Sequence, residues 1–288
     1  MANPILREKL SRREFFVAPG LQDMIAATMA NRVGFDIVYG SGYWMTASNL
    51  GLPDAGLATF TQFLDRMTTL AQTARGALIA DADTGFGGLL NVAHTVRGYE
   101  RAGVTAIQLE DQEFPKKCGH TPYKRCVPTE EMADKIRVAA EARQDKENFL
   151  IIARTDARAG DGLDAALKRL EAYDRAGADI LFLEAPHSED EMRTACSHFA
   201  KPMMANMADG GKTPILPVAR LQELGFAFAI YPSMTSLVGA HAMELALRRL
   251  KDTGVSQSPE QPMFDFIEFC KLIGFQEVWD FEERWAKK

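Results

Sequence analysis

Asp81 and Asp83 stand where an apolar run, Ala77-Leu78-Ile79-Ala80, breaks into a glycine-rich turn that ends at Gly88. On a strand, residues two apart share a face, so both carboxylates point the same way at the strand's C-terminal end. Two carboxylates held together repel each other unless one is protonated or a cation lies between them. The alternative for this stretch alone is that one aspartate caps the next helix while the other is solvated. Other apolar runs end in the same manner: Tyr39-Gly40-Ser41-Gly42-Tyr43, Glu110-Asp111, Arg154-Thr155-Asp156, Glu184, Asn206 and Tyr231-Pro232-Ser233. Buried polar groups without partners cost about 1–3 kcal/mol each, so such a gathering would burden a purely structural core. The acids are hard oxygen donors suited to Mg²⁺ or Mn²⁺, and no histidine accompanies them as zinc or iron would prefer.

The second chemical stretch is 112–128, Gln-Glu-Phe-Pro-Lys-Lys-Cys-Gly-His-Thr-Pro-Tyr-Lys-Arg-Cys-Val-Pro. It is long for a strand-to-helix connection, and loops of that length are usually lids or disordered. Cys118 lies among Lys116, Lys117, His120, Lys124 and Arg125. Positive neighbours are expected to bring its thiol pKa down from the free value of about 8.5. A basic surface loop with an incidental cysteine is the alternative. A zinc site from Cys118, His120 and Cys126 lacks a fourth ligand.

These residues need elements to hold them. Candidate strands are 15–19, 36–41, 77–83, 106–111, 149–156, 180–185, 202–207 and 228–232. Amphipathic helical stretches lie between them at 61–74, 92–102, 130–143, 164–176 and 218–224, several ending in a helix-stop glycine. The alternation predicts an α/β fold, a (β/α)8 TIM-type barrel, with a doubly wound open sheet as the alternative. The barrel is preferred because no GxGxxG follows the first strand. In such a barrel the chemistry lies where strands end and the following loops begin. The reading divides the chain into a catalytic barrel over 1–252 and a polar linker with a C-terminal helical extension over 253–288. The extension is too apolar to stand in water; it either crosses its own barrel or lies on a neighbouring subunit.

The 288 residues, 47% hydrophobic and 25% charged, are those of an ordinary globular chain. A net charge of −6 disfavours nucleic acid and anionic membrane as partners. The N-terminus is too charged for a signal peptide, and no apolar run approaches the roughly 18 residues a membrane span needs. Four cysteines without CxxC pairing indicate neither disulfides nor a zinc site, so a reducing cytoplasm is expected.

The motifs ADADTGFG, IQLEDQ, PKKCGH, IARTDAR, FLEAP and ANM, in register from about Phe15 to Ser233, resemble the isocitrate lyase/phosphoenolpyruvate mutase superfamily. KKCGH is the most specific of them. The resemblance implies a Mg²⁺-dependent barrel (Mn²⁺ serving as well) acting on a small 2-hydroxy or 2-oxo acid. It also implies a homotetramer, a dimer of dimers, whose C-terminal helices are exchanged between subunits. Asp81 would bind the metal directly, with Asp54, Asp83 and Glu110 holding its waters. Ser41, Gly42 and Tyr43 would cradle a pyruvate-type carboxylate, Arg154 would offer it a planar fork, and Glu184, Asn206, Pro232 and Ser233 would line the remaining pocket. In the superfamily's lyases the cysteine of KKCGH protonates the carbanion left by cleavage; its phosphonomutases and some decarboxylases lack that cysteine. Cys118 therefore favours a carbon–carbon lyase.

The segment Gly210-Gly211-Lys212-Thr213-Pro214 resembles dimethylmalate lyases and related alkylmalate/oxaloacetate lyases more than methylisocitrate lyases. Trp44, Met45 and Met234 are expected to add apolar surface suited to alkyl groups. The expected reaction is cleavage of a 2-alkylmalate or 2,3-dimethylmalate to pyruvate and a short carboxylic acid. Tyr39 would take the hydroxyl proton, Cys118 would reprotonate the departing enediolate, and His120 would steady the leaving carboxylate or tune the thiol. Methylisocitrate or isocitrate cleavage, oxaloacetate decarboxylation, phosphonomutase chemistry and a non-catalytic barrel are the alternatives.

Overall fold

The computed structural model describes residues 2–286. It begins with α1 (Ile5–Ser11), β1 (Phe16–Leu21), α2 (Met24–Val33), β2 (Ile37–Gly40), α3 (Gly42–Leu50), α4 (Phe60–Thr73) and β3 (Ala77–Asp81). The middle of the chain forms α5 (Leu89–Arg101), β4 (Ala106–Glu110), α6 (Thr129–Ala142), β5 (Leu150–Thr155), α7 (Arg158–Asp161) and α8 (Leu163–Arg175). Then come β6 (Ile180–Leu183), α9 (Glu189–His198), β7 (Met204–Asn206), α10 (Val218–Leu224) and β8 (Phe228–Tyr231). Three helices follow: α11 (Met234–Thr253), α12 (Phe266–Leu272) and α13 (Phe275–Trp285).

All strand pairings are parallel, and β8 returns to pair with β1. The remaining gap, between β6 and β7, is bridged by the Leu181 amide donating to the Pro202 carbonyl at 3.0 Å. The strands thus curl into the expected TIM-like barrel, and the open-sheet alternative falls away.

Alternation along the strands explains how the barrel carries polar groups at one end. Inward positions are Ala77 and Ile79 on β3, Leu150 and Ile152 on β5, and Ile180 and Phe182 on β6, all fully buried together with Phe16, Phe228 and Ile230. Leu6, from α1, joins this interior cluster and stops the barrel's N-terminal end. The next inward position on each strand, by the same period of two, is Asp81, Arg154 or Glu184. Glu110 follows Ala106 and Gln108 on β4, and Asn206 follows Met204 on β7. The outward residues meet the helices instead. On α4, Phe63, Met67 and Leu70 recur at helical spacing and are buried, and its start is fixed by a Thr59–Gln62 capping box.

The chain forms two compact units, Met1–Thr235 and Ser236–Lys288. The division therefore falls before the polar segment 253–262, because α11 continues as one helix from Met234 to Thr253. Within the second unit, Leu237, Val238, Leu247, Phe266, Phe281 and Trp285 are all exposed. Ring contacts between Phe275 and Trp279, and between Phe281 and Trp285, run along α13.

Candidate active site

The C-terminal mouth of the barrel begins with the turn after β3. Asp81 accepts the Asp83 amide on Oδ1 at 3.0 Å and the Gly42 amide on Oδ2 at 3.3 Å. Gly42 is required for that approach, since a Cβ there would come within 2.7 Å of Asp81 Oδ2. Asp83 has φ +48°, a left-handed conformation that costs a non-glycine residue about 1–2 kcal/mol. Its surroundings impose it: the Asp83 carbonyl accepts the Glu110 amide at 2.9 Å, and the next carbonyl, of Thr84, accepts Lys135 Nζ at 3.2 Å. Ala185, directly after Glu184, is held in the same region at φ +55°.

Arg154 occupies the centre of the opposite wall. Its Nε and Nη2 donate to the two oxygens of Asp156 at 2.8 and 3.0 Å. Glu110 lies 3.3 Å from Nη1 and Glu184 lies 3.3 Å from Nη2. One full edge of the guanidinium is thus fixed by Asp156, while Nη1 faces Glu110. Asn206 Nδ2 donates to Glu184 at 3.2 Å. Asp156 is itself seated by Asp111, whose Oδ1 accepts the Asp156 amide at 2.9 Å. Asp111 Oδ2 accepts Thr155 Oγ1 at 2.6 Å and the Tyr173 hydroxyl at 2.8 Å.

The long segment after β4 folds over this mouth as a flap. Gln112 clamps its start, accepting the Lys117 amide at 3.1 Å and donating to the Lys117 carbonyl at 2.7 Å. Lys116, 2% exposed, extends to Asp54 at 2.5 Å and Asp83 at 2.8 Å. A Cβ on Gly119 would overlap Arg154 Nη2 and come within 2.7 Å of Glu184 Cγ, so the Cys118–Gly119 turn lies directly on those two side chains. His120 Nε2 is 3.2 Å from Glu184, and its Nδ1 accepts the Lys212 amide at 3.3 Å.

Burial raises the Cys118 thiol pKa above its ordinary value, outweighing the Arg154 charge and the His120 amide. This corrects the expected thiolate: Lys116 and Lys124 are paired with carboxylates instead of facing the sulfur. A thiol that keeps its proton is a competent proton donor.

The acids fit a hydrated divalent ion. Asp54, Asp81, Asp83 and Glu110 share the single ammonium of Lys116 on their side of the mouth, and Glu110 Oε1 is buried without a hydrogen-bond partner. Burial and crowding of charge show at Asp83 and Glu110. Burial raises Asp83 to about 7, with Asp81 and Asp54 adding to the rise against Lys116, and burial also raises Glu110 well above the carboxylate range. Among the described residues, no three His, Cys, Asp or Glu side chains converge as a direct-ligand cage. That donor set suits Mg²⁺, which keeps several of its waters.

The phosphoenolpyruvate phosphomutase family model matches residues 6–251. The chain belongs to the phosphoenolpyruvate mutase/isocitrate lyase superfamily. It is 44% identical over 281 residues to 2,3-dimethylmalate lyase of Eubacterium barkeri, covering 98% of this chain and 97% of that one. It is 40% identical to 2-methylisocitrate lyase of Aeropyrum pernix, covering 98% and 90%. Both relatives are carbon–carbon lyases. Among solved structures, oxaloacetate acetylhydrolase bound to 3,3-difluorooxalacetate superposes with a TM-score of 0.92 at 33% identity, covering 98% and 96%. Phosphonopyruvate hydrolase with oxalate and Mg²⁺ gives 0.88 at 30% identity, with 100% of both chains covered.

Of the residues this superfamily resemblance marked, the fold unites Asp54, Asp81, Asp83, Gly42, Glu110, Arg154, Glu184, Asn206 and His120 through the contacts above. Among the described residues, no hydrogen bond or ion pair joins Ser41, Tyr43, Pro232 or Ser233 to that cluster. Tyr43 is half-exposed and turns its ring edge to Trp44. Met45 is buried among the apolar side chains packed between strands and helices. Tyr39 faces the barrel interior and donates to Gln108 Oε1 at 3.3 Å. Burial pushes its pKa well above the phenol value, which runs against the role of base.

Sequence reasoning named Lys116, Lys124, Asp111 and Asp156 without their partners and passed over Gln108 altogether. Gln108 was legible as a polar residue at inward parity on β4. The partners of the other four required the fold.

Proposed function

We propose that this chain is a Mg²⁺-dependent carbon–carbon lyase that cleaves a 2-alkylmalate, of the 2,3-dimethylmalate type, to pyruvate and a short carboxylic acid. The observation that carries the reading is the seat of Cys118. A thiol that burial keeps protonated stands in a flap turn whose next residue rests on Arg154 and Glu184. Likeness to 2,3-dimethylmalate lyase supports the substrate class.

Asp81, with Asp54, Asp83 and Glu110 around it, would hold the ion, which when bound supplies Lewis-acid stabilisation to the pyruvate-forming half. Arg154 would bind the carboxylate of that half through Nη1, which it would share with Glu110. Cys118 would donate its proton to the departing enediolate, and His120, oriented by Glu184 and the Lys212 amide, would steady the leaving carboxylate. The seated flap excludes water, which an enediolate requires. The subunits would assemble as a homotetramer through the exposed apolar faces of the C-terminal helices.

The test is pyruvate release from a panel of substituted malates with Mg²⁺, coupled to lactate dehydrogenase. Pyruvate is expected from alkylmalates, with loss of signal on EDTA treatment and a fall of about 100-fold or more for Cys118→Ser. A Cys118→Ser protein at the parent rate refutes the acid assignment. Methylisocitrate belongs in the panel because of the Aeropyrum pernix relative. Turnover of methylisocitrate, with the alkylmalates inert, would replace the substrate reading while keeping the reaction class.

A further inference from the structure

Lys124 lies in the return limb of the flap, outside the KKCGH turn, yet its side chain is 4% exposed. Its ammonium donates to Asp156 Oδ1 at 2.7 Å and also to the carbonyl of Gly119. That same Asp156 oxygen accepts Arg154 Nη2 at 3.0 Å. One flap cation therefore bonds both the backbone of the thiol-bearing turn and the carboxylate that orients the candidate substrate arginine.

The charges explain what this joint does. Arg154 alone faces Asp156, Glu110 and Glu184, all buried. Without a second cation, Asp156 and Glu184 would offset the single charge of Arg154 and weaken its hold on an incoming substrate carboxylate, and buried charges interact strongly. With the flap seated, Lys124 neutralises one of them. Together with Arg154 it holds Asp156 down at about 2, against the upward pull of burial. Withdrawing the flap would remove that charge at the moment it moved Cys118 away. The barrel side of the joint is rigid, because Asp111 fixes the Asp156 amide while Arg169 Nη1 donates to the Val127 carbonyl, at the base of the flap, at 2.8 Å.

We infer that Lys124 is a positioning residue that couples seating of the flap to carboxylate binding at Arg154, so the thiol and the arginine become competent together. The kinetic part of this inference rests on the lyase reading; the structural part does not.

The experiment compares Lys124→Met and Lys124→Arg with the parent, each with Mg²⁺ present. Iodoacetamide labelling rates of the four cysteines are followed separately by peptide mass spectrometry, and kcat and KM are measured on whichever malate the parent cleaves. In Lys124→Met, Cys118 is expected to label at least 10-fold faster while Cys126, Cys196 and Cys270 keep their rates. KM is expected to rise and kcat to fall, and Lys124→Arg to stay within about 3-fold of the parent in labelling. Should Lys124→Met fail to fold, Lys124→Gln, which retains a donor for the Gly119 carbonyl without the charge, is measured in its place. An unchanged Cys118 rate overturns the inference. So does acceleration of all four cysteines together, which would mean general loosening, or an arginine variant as fast as the methionine one. If the parent cleaves neither a malate nor methylisocitrate, the lyase reading fails, and the labelling rates still decide the role of Lys124.

Discussion

Cys118 shows how charge in the sequence differs from charge at an atom. Its basic neighbours suggest a thiolate, yet the lysines that matter are turned to carboxylates, and burial leaves the sulfur protonated. The sign of the pH effect follows. A raised pKa keeps the reactive thiolate scarce through neutrality, so alkylation should accelerate as pH rises, with a midpoint above that of a free thiol of pKa about 8.5. The measurement is the pH profile of Cys118 labelling in folded protein, with a small-molecule thiol as reference. A midpoint below 8 would mean that the flap cations do face the sulfur. Asp83 carries a related lesson: its left-handed backbone is maintained by bonds from β4 and α6, elements distant in sequence.

At the scale of the element, the flap is the part whose geometry decides chemistry. Its base is bound to Asp111 through the Val127 amide at 2.9 Å, and its tip reaches the barrel through Lys116, His120 and Lys124. Gly119 lies against Arg154 and Glu184, and Arg154 has little room to yield because Asp156 and Glu184 hold it. Gly119→Ala is therefore expected to keep the flap from seating. Steady-state assays should show kcat reduced by about 10²-fold, the scale on which a misplacement of about 1 Å acts, with the melting temperature within a few degrees of the parent. A variant with parent kcat would place the working turn elsewhere.

For the whole molecule, exposed apolar side chains of the second unit bear on assembly. Leu237, Val238, Leu247, Phe266, Phe281 and Trp285 are all exposed within 236–288, and exposed apolar side chains gathered in one region mark an interaction surface. Light scattering coupled to size exclusion is expected to give four chains per particle, and Phe281→Asp with Trp285→Asp to lower that number. A monomer at micromolar concentration would remove the tetramer from the proposal.

What the sequence determined by itself was the alternation of strand and helix, the barrel it implies, and the acids and the arginine at strand ends. These are written in local periods: a period of two brings Asp81, Glu110, Arg154 and Glu184 to one interior, whatever the loops do. The KKCGH turn marked the family for the same reason, being contiguous. Tertiary structure alone decided the partners. Lys116 pairs with Asp54 and Asp83, Lys124 joins Asp156, and Asp111 anchors Asp156, because ion pairing depends on distance in space and burial. The protonation of Cys118, the withdrawal of Met45 into the core and the unit boundary at Thr235 were decided in the same way, by what surrounds each residue once the chain has folded.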